Sequence, residues 1–580
     1  MTEETAPVES TPKTTTEIPT PWLDSLEGVR ATSLDYEEMT MYQFLKRRAK
    51  NEPDDPFMIF PAGKTTSYAE TIESVEKIGA FLLSKGIKKG DRVTLFLPNL
   101  QHYVISHYAV LAIGAIVVQG NPRYTLPELT HLLEDSGSRA IISISQFQDI
   151  VGKAMKSSKV EFAIFGHVSD YLPMIKGFLG RLLGKVEDVK IAESNNVFSF
   201  KKLLKSTDKS GFKEADISLE DDVAVLQYTG GTTGKSKGAI LTHKNLCYNS
   251  QQARALIPMI PDKTGSILTM LPLFHSFGLT ICMGMCLQMG IPMILIPKPG
   301  RDQKFFAEVL DMIEKYEITF FPGVPTMLNA MVNNSAFETA NLSSLIAVFS
   351  GGATLPLAVS QRFKKVTGAD VVEGYGLSET SPLATCNPIK SEKLQPKEGS
   401  IGLPAPDTVL KIVDQDNASV NMALGERGEI AIKGPQVMRG YWNSEEESKI
   451  ALDGEWLLTG DIGKMDEDGY FYIVDRKKDI IIVSGFNVIP NEIENVLYQH
   501  PAILEAAVAG IPHPEKGETP AAWVVLREGM SADSADIVKF LRESLAGHKI
   551  PSEIHFREEL PKTMIGKILR RKLKEELLGE

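Results

Sequence analysis

A run of glycines, hydroxyls and cations, Tyr228-Thr-Gly-Gly-Thr-Thr-Gly-Lys-Ser-Lys-Gly238, carries the densest chemical signal in the chain. It follows an apolar stretch at 223–227 that reads as a strand. Glycine lets a backbone approach a polyphosphate and turn its N–H groups onto it. Thr229, Gly230, Gly231, Thr232, Thr233, Gly234, Lys235 and Lys237 together offer backbone, hydroxyl and ammonium donors. The spacing is not that of a Walker loop, which needs glycine where this chain has Thr229. A flexible surface hairpin would explain the glycines but not the threonines between them.

Four further residues have side chains suited to chemistry. Glu379 follows the turn-like Gly374-Tyr-Gly376 and precedes Thr380. A carboxylate there suits a hard cation that takes few protein ligands, or simply a solvated loop. Asp461 follows Gly460; it can accept two hydrogen bonds, or form a turn. Lys567 closes Pro561-Lys-Thr-Met-Ile-Gly-Lys567 ahead of a basic tail. His275 ends the apolar Leu271-Pro-Leu-Phe-His275, where a hydrogen-bonded core histidine is as good a reading as a site residue.

The elements that must position these groups alternate. Helical patterns at 42–50, 69–85 and 103–113 interleave with apolar strands at 92–96, 115–119, 140–144 and 162–165. After an irregular stretch at 168–213, strands follow at 223–227, 239–241, 266–270, 318–321, 347–349 and 370–373, and Thr242 is placed to cap a helix. This alternation predicts an α/β protein with largely parallel sheets. Near Asp475-Arg-Lys-Lys-Asp479 the character changes. A small α+β module follows, with strands at 480–483, 503–510 and 522–526 and helices at 490–500 and 534–545. The expected division is a disordered tail at 1–20, a large domain at 21–475 and a small one at 476–580.

Composition narrows the class. With 580 residues, 43% hydrophobic and 23% charged, the chain is an ordinary globular protein of more than one domain. A net charge of −12 argues against nucleic acid as a partner. The four cysteines show no metal-ligand or disulfide spacing and read as buried thiols in a reducing, cytoplasmic setting. The uncharged stretch 277–297 is long enough to span a bilayer, but Gly284, Gly290 and Pro292 interrupt it. A buried helix, a turn and a strand at 293–296 are expected instead. The segment 171–185 mixes large apolar residues with cations; a peripheral membrane contact and a plain surface helix are both open readings.

The loop and the motifs after it resemble, in order, the acyl-adenylate-forming (AMP-binding) superfamily. They are Leu241-Thr-His-Lys-Asn245, Leu271-Pro-Leu-Phe-His-Ser276, Pro322-Gly-Val-Pro-Thr326, Ser350-Gly-Gly-Ala353, Glu373-Gly-Tyr-Gly-Leu-Ser-Glu-Thr380, Thr459-Gly-Asp461, Asp475-Arg476, Gly485-Phe-Asn487 and the Lys567 turn. Within the superfamily, Lys433-Gly-Pro-Gln-Val-Met438 and the run from Val474 to Glu494 are most similar to long-chain fatty acid–CoA ligases.

That resemblance implies a large N-terminal domain of stacked mixed β-sheets with flanking helices and a β-barrel-like subdomain, plus a small mobile α+β C-terminal domain. It implies ATP, Mg²⁺ and coenzyme A, and a reaction in which a fatty acid is adenylated before the thiol displaces AMP. The loop from Thr229 to Lys237 would hold the β- and γ-phosphates. Gly351, Gly352, Ala353, Glu373, Gly374, Tyr375 and Gly376 would frame the adenine. Thr380 would meet the α-phosphate, and Glu379 with Thr229 would ligate the metal. Asp461 and Arg476 would hold the ribose, and Lys567 would contact the acyl carboxylate and α-phosphate. His275, Phe277, Val324 and Gly352 would line the acyl site. Ser484, Gly485 and Phe486 would meet the thiol after the small domain turns about Lys478. Some relatives carry aspartate at that hinge, and Asn487 stands where others have arginine. A medium-chain, aromatic or cyclic acid is the alternative substrate. A non-catalytic acyl or nucleotide sensor is the alternative of another class, and a homodimer is an open possibility.

Overall fold

The computed structural model describes residues 13–579 except 62, 174–187, 230–235, 259, 301, 354, 390, 485 and 564–566. Four sheets organise the chain. The first has seven strands, ordered Lys237–Thr242, Val223–Thr229, Ile116–Gln119, Arg92–Phe96, Ala140–Ile144, Phe162–Gly166 and Val197–Ser199. It is parallel except for its first hairpin. The second has nine strands, with Ile267–Thr269, Phe320–Gly323, Ala347–Ser350 and Asp370–Gly376 parallel at its centre.

Between these sheets lies Gln101–Ala112, a helix with every residue buried. It is apolar on nearly all sides, as a helix enclosed by two sheets must be. It shares one core with Val93, Val117 and Val225 of the first sheet and Ile267, Met293 and Phe320 of the second. The helix His243–Ala255 begins as predicted at Thr242: its hydroxyl accepts from Asn245 N at 3.2 Å, and the Asn245 side chain accepts from Thr242 N at 2.8 Å.

A third sheet of seven strands is antiparallel and ends with Trp456–Met465 against Phe471–Arg476. The described pairings run as an open path from Thr14–Thr15 to Leu452–Asp453, so they do not form the closed ring expected of a barrel. Thr14–Thr15, within the stretch expected as a tail, pair with Met422 and Asn421 as an edge strand. The fourth sheet has five strands and builds the small module, with Pro490–Leu497 and Ser534–Arg542 packed on it.

The stretch after Gly278 folds as a buried π-helical segment, Gly278–Gly284, then Met285–Met289, a left-handed Gly290 and the strand Met293–Leu295. Among the described residues no helix is long and apolar enough to cross a membrane. The stretch expected to be irregular contains the strand Val197–Ser199 and the helix Phe200–Ser206. Most of the 171–185 segment lies outside the described residues.

Candidate active site

The strands of the two parallel sheets end toward a shared set of loops. Thr229, His275, Val324, Gly351 and Glu379 all lie at or just beyond the carboxyl ends of their strands. Ligands of open α/β sheets bind at that edge, because there the loops are free to vary while the strands stay fixed.

Of the glycine-rich loop, Gly230, Gly231, Thr232, Thr233, Gly234 and Lys235 lie outside the described residues. Its two ends are well placed. Thr229 pairs with Lys237 across the hairpin. Gly238 packs closely: a Cβ there would approach the Tyr228 ring at 3.1 Å. The second strand is stitched to the segment after Met438, through Ile240 N to Gly440 O at 2.9 Å and Trp442 N to Gly238 O at 2.8 Å. Lys237 pairs with Glu447 at 2.5 Å.

That stitching brings in a residue sequence reasoning missed. The Tyr441 hydroxyl donates to Glu379 Oε1 at 2.7 Å. The Glu379 backbone carbonyl accepts from Met438 N at 2.8 Å. Glu379 is thereby oriented from two sides, and among the described residues no hydrogen bond is made by its second carboxylate oxygen. Among the described residues no cluster of three or more His, Cys, Asp or Glu could hold a metal. One carboxylate fits Mg²⁺ brought in on a polyphosphate, since that ion keeps waters and takes few protein ligands. A resident metal would need more.

The Glu379 turn is built for shape. Gly376 stands so close to Pro382 that a Cβ would lie 1.6 Å from its carbonyl oxygen. Thr380 is fully buried, and its hydroxyl donates to Pro382 O at 2.5 Å while accepting from Leu377 N at 2.9 Å. Its proton is committed within the turn, and a phosphate would have to exchange for that bond. Glu373 likewise looks inward: it accepts from Leu355 N at 3.0 Å, and burial raises its carboxyl pKa to about 7. Its side chain braces the loop after Gly351 and Gly352, with Ala353 between them and Leu355.

A polar pair lies beside this turn. The Tyr375 hydroxyl donates to Asp461 Oδ2 at 2.7 Å. Arg476 Nε reaches Asp461 Oδ1 at 3.0 Å, because Arg476 is directly opposite Asp461 in the antiparallel ladder. Asp461 is nearly enclosed, and its charge holds the Arg476 guanidinium in its ionised form. Gly374 and Gly376 flank Tyr375, whose side chain packs on the core beside the third sheet.

The segment expected to line the acyl site is braced. Asn99 grips Leu271 O and Leu273 N, each at 2.8 Å. The Tyr103 hydroxyl donates to Leu273 O at 2.7 Å, and Gln227 Nε2 donates to Phe274 O at 3.1 Å. His275 follows, its Nδ1 accepting from Phe277 N at 3.3 Å. Burial lowers its pKa to about 4, so the imidazole is neutral at neutral pH. Phe277 closes on Gly351, where a Cβ would meet the ring at 3.0 Å. Val324 is buried at the start of the helix Pro325–Val332.

The small module presents Lys567 to this site. Lys567 faces Arg476, Asp461, Arg570 and Asp479, and burial together with the two guanidinium groups lowers its pKa to about 8. Ser484 and Phe486 are not brought in. Both are exposed, with Phe486 stacked on His548 at 5.1 Å, and Gly485 lies outside the described residues. Lys478 is exposed in the turn between Phe471–Arg476 and Ile481–Val483.

Comparison with known proteins identifies the family. The family model for the AMP-binding enzyme matches residues 45–442, and that for the AMP-binding enzyme C-terminal domain matches 492–567. The chain is 41% identical over 557 residues to a long-chain-fatty-acid–CoA ligase of Bacillus subtilis, covering 96% of this chain and 98% of that protein. It also matches a crystal structure of the anthranilate CoA ligase AuaEII in complex with anthranoyl-AMP. The TM-score is 0.82 at 26% identity, over 94% of this chain and 98% of that one. ATP-bound MatB from Rhodopseudomonas palustris matches with a TM-score of 0.79 at 27% identity, over 93% and 99%. The chain belongs to the AMP-binding enzyme family and is an AMP-forming acid–thiol ligase.

Proposed function

We propose that the acid is a long-chain fatty acid and the product its coenzyme A thioester. The observation that carries this reading is the 41% identity, over nearly the whole chain, to a protein named for that substrate. The acyl-site segments 274–278, 321–327 and 349–352 are consistent with it: they contain no lysine or arginine to pair a second acid group.

A carboxylate is a poor electrophile, so it is first joined to the ATP α-phosphate with loss of pyrophosphate. Both this step and the attack of the thiol place charge on oxygen, and preorganised donors lower that barrier. In this reading Thr229 and Lys237 hold the β- and γ-phosphates together with the loop between them. Asp461 accepts from the ribose hydroxyls, and Tyr375 stacks on the adenine. Lys567 spans the acyl carboxylate and the α-phosphate. Mg²⁺ entering with ATP would meet Glu379 and Thr229 and neutralise charge on the phosphates. The neutral His275 and the ring of Phe277 bound the acyl carbonyl end.

A second reading keeps this chemistry and changes the acid to a medium-chain, aromatic or cyclic one. The solved relatives favour it over the first, since the anthranilate ligase shares the fold with an aromatic adenylate bound. AMP release that requires both CoA and ATP, measured from acetate to oleate and with benzoate and anthranilate, separates the two. A kcat/KM maximum at long chains supports the first reading; a maximum at ring acids replaces it with the second.

A further inference from the structure

The residues flanking the turn at Lys478 form a buried charge network that the site itself does not use. Asp475 belongs to the large domain by its ladder, opposite Ile462, and its side chain is 1% exposed. Yet its carboxylate serves the small module. Oδ2 accepts from Asn491 N at 3.0 Å, at the start of Pro490–Leu497. Oδ1 accepts from Arg570 at 3.2 Å as well as from Arg476 N at 2.7 Å. The Asn491 side chain donates back to Val474 O at 3.3 Å.

Arg570 opens the helix Arg570–Leu578, three residues after Lys567 in the chain. Its other partners are on its own side of Lys478. Glu494 takes two of its N–H groups at 2.9 and 2.7 Å, Asp479 one at 3.2 Å, and the Asn491 amide oxygen one at 2.5 Å. A rotation of the small module about the 477–479 turn leaves the Glu494 contacts intact. It must part Asp475 from Arg570 and from the Asn491 N–H, exposing a carboxylate that is now enclosed. Among the described residues, Asn329 to Leu504 O at 3.3 Å and Arg527 to Asn333 at 2.9 Å also cross the boundary, and neither joins two charges.

We propose that Asp475 and Arg570 are positioning residues: their ion pair across the hinge latches the small module in the orientation that presents Lys567 to the site, and its release accompanies the turn to thioester formation. The catalytic part of this statement rests on the ligase reading above; the mechanical part does not. Charge-assisted bonds of this kind, lost from an enclosed carboxylate, shift a two-state ratio about tenfold or more.

The test uses the full chain with two dyes. The four native cysteines are buried, so Ile450→Cys on the large domain and Met530→Cys on the small one accept label selectively. Energy transfer between the dyes reports the orientation without any substrate. Asp475→Asn is expected to move the ratio of orientations about tenfold away from the latched distance. Adenylation should fall relative to thioester formation from preformed acyl-AMP. Glu576→Gln, which removes an ion pair to Arg557 lying wholly within the small module, should do neither. Asn491→Ala, which removes the bond to Val474 and one contact to Arg570, repeats the test if Asp475→Asn does not fold. An unchanged distance distribution, or an equal fall in both half-reactions, overturns the latch. A wild-type protein inactive with every acid would sink the ligase reading, while the dye distances would still decide the latch.

Discussion

Lys567 gives the sharpest prediction, because its surroundings set the pH at which it works. Loss of solvent around it, with added repulsion from Arg476 and Arg570, lowers its pKa from the ordinary lysine value to about 8. The charged ammonium is the form able to bridge two anions. It is complete below that pKa and is lost as pH rises through it. About nine-tenths of the side chains are charged at pH 7 and about one-tenth at pH 9, so the expected fall is about tenfold. An unshifted lysine would lose almost nothing over that interval. The assay is the adenylation half-reaction, read as pyrophosphate release at low ATP, where kcat/KM reports the free enzyme's ionisations. Lys567→Arg should flatten the profile in this range, since a guanidinium stays protonated. Lys567→Ala should abolish adenylation and leave thioester formation from preformed acyl-AMP largely intact. No step between pH 7 and 9.5, or a step that survives in Lys567→Arg, refutes the reasoning.

Two further outcomes follow from the site's geometry. Tyr441→Phe removes the hydroxyl that orients Glu379 at 2.7 Å. The Mg²⁺ concentration for half-maximal adenylation should then rise about tenfold, with kcat recovered at high Mg²⁺; loss of a group that orients a metal ligand costs about 10–100-fold in affinity. A Mg²⁺ titration of both proteins checks this, and an unshifted midpoint would release Glu379 from the metal. Asp461→Ala removes the acceptor shared by Tyr375 and Arg476. If Asp461 also takes the ribose hydroxyls, the wild-type preference for ATP over 2′-deoxy-ATP, about 1.5–3 kcal/mol for a bond to a charged group, should nearly vanish. A preference that survives the substitution places the ribose elsewhere.

What the sequence disclosed and what it hid divide along a physical line. The strands 92–96 and 140–144 are legible to the residue because each is a short apolar run with turn residues at its ends. The strand Gly517–Leu526 is longer than the run at 522–526 that marks it. Its first half begins with polar residues and is held by pairing with the distant Ile503–His513, which no local pattern contains. The same holds in the site. Glu379, Asp461 and Lys567 are visible because each stands in a glycine-containing motif that resembles the family's. Tyr441 is not, because an aromatic 62 residues from Glu379 carries no mark of what its hydroxyl meets. Asp475 and Arg570 are separated by 95 residues, and each alone reads as one more charge in a charged run. Local chemistry therefore announces the groups that touch substrate. The groups that decide when they touch it are spread between two domains, and only the folded chain brings them together. If the Asp475–Arg570 pair is the latch, variants that spare every substrate contact will still separate the two half-reactions, and Asp475→Asn should alter turnover while leaving the KM for ATP nearly unchanged.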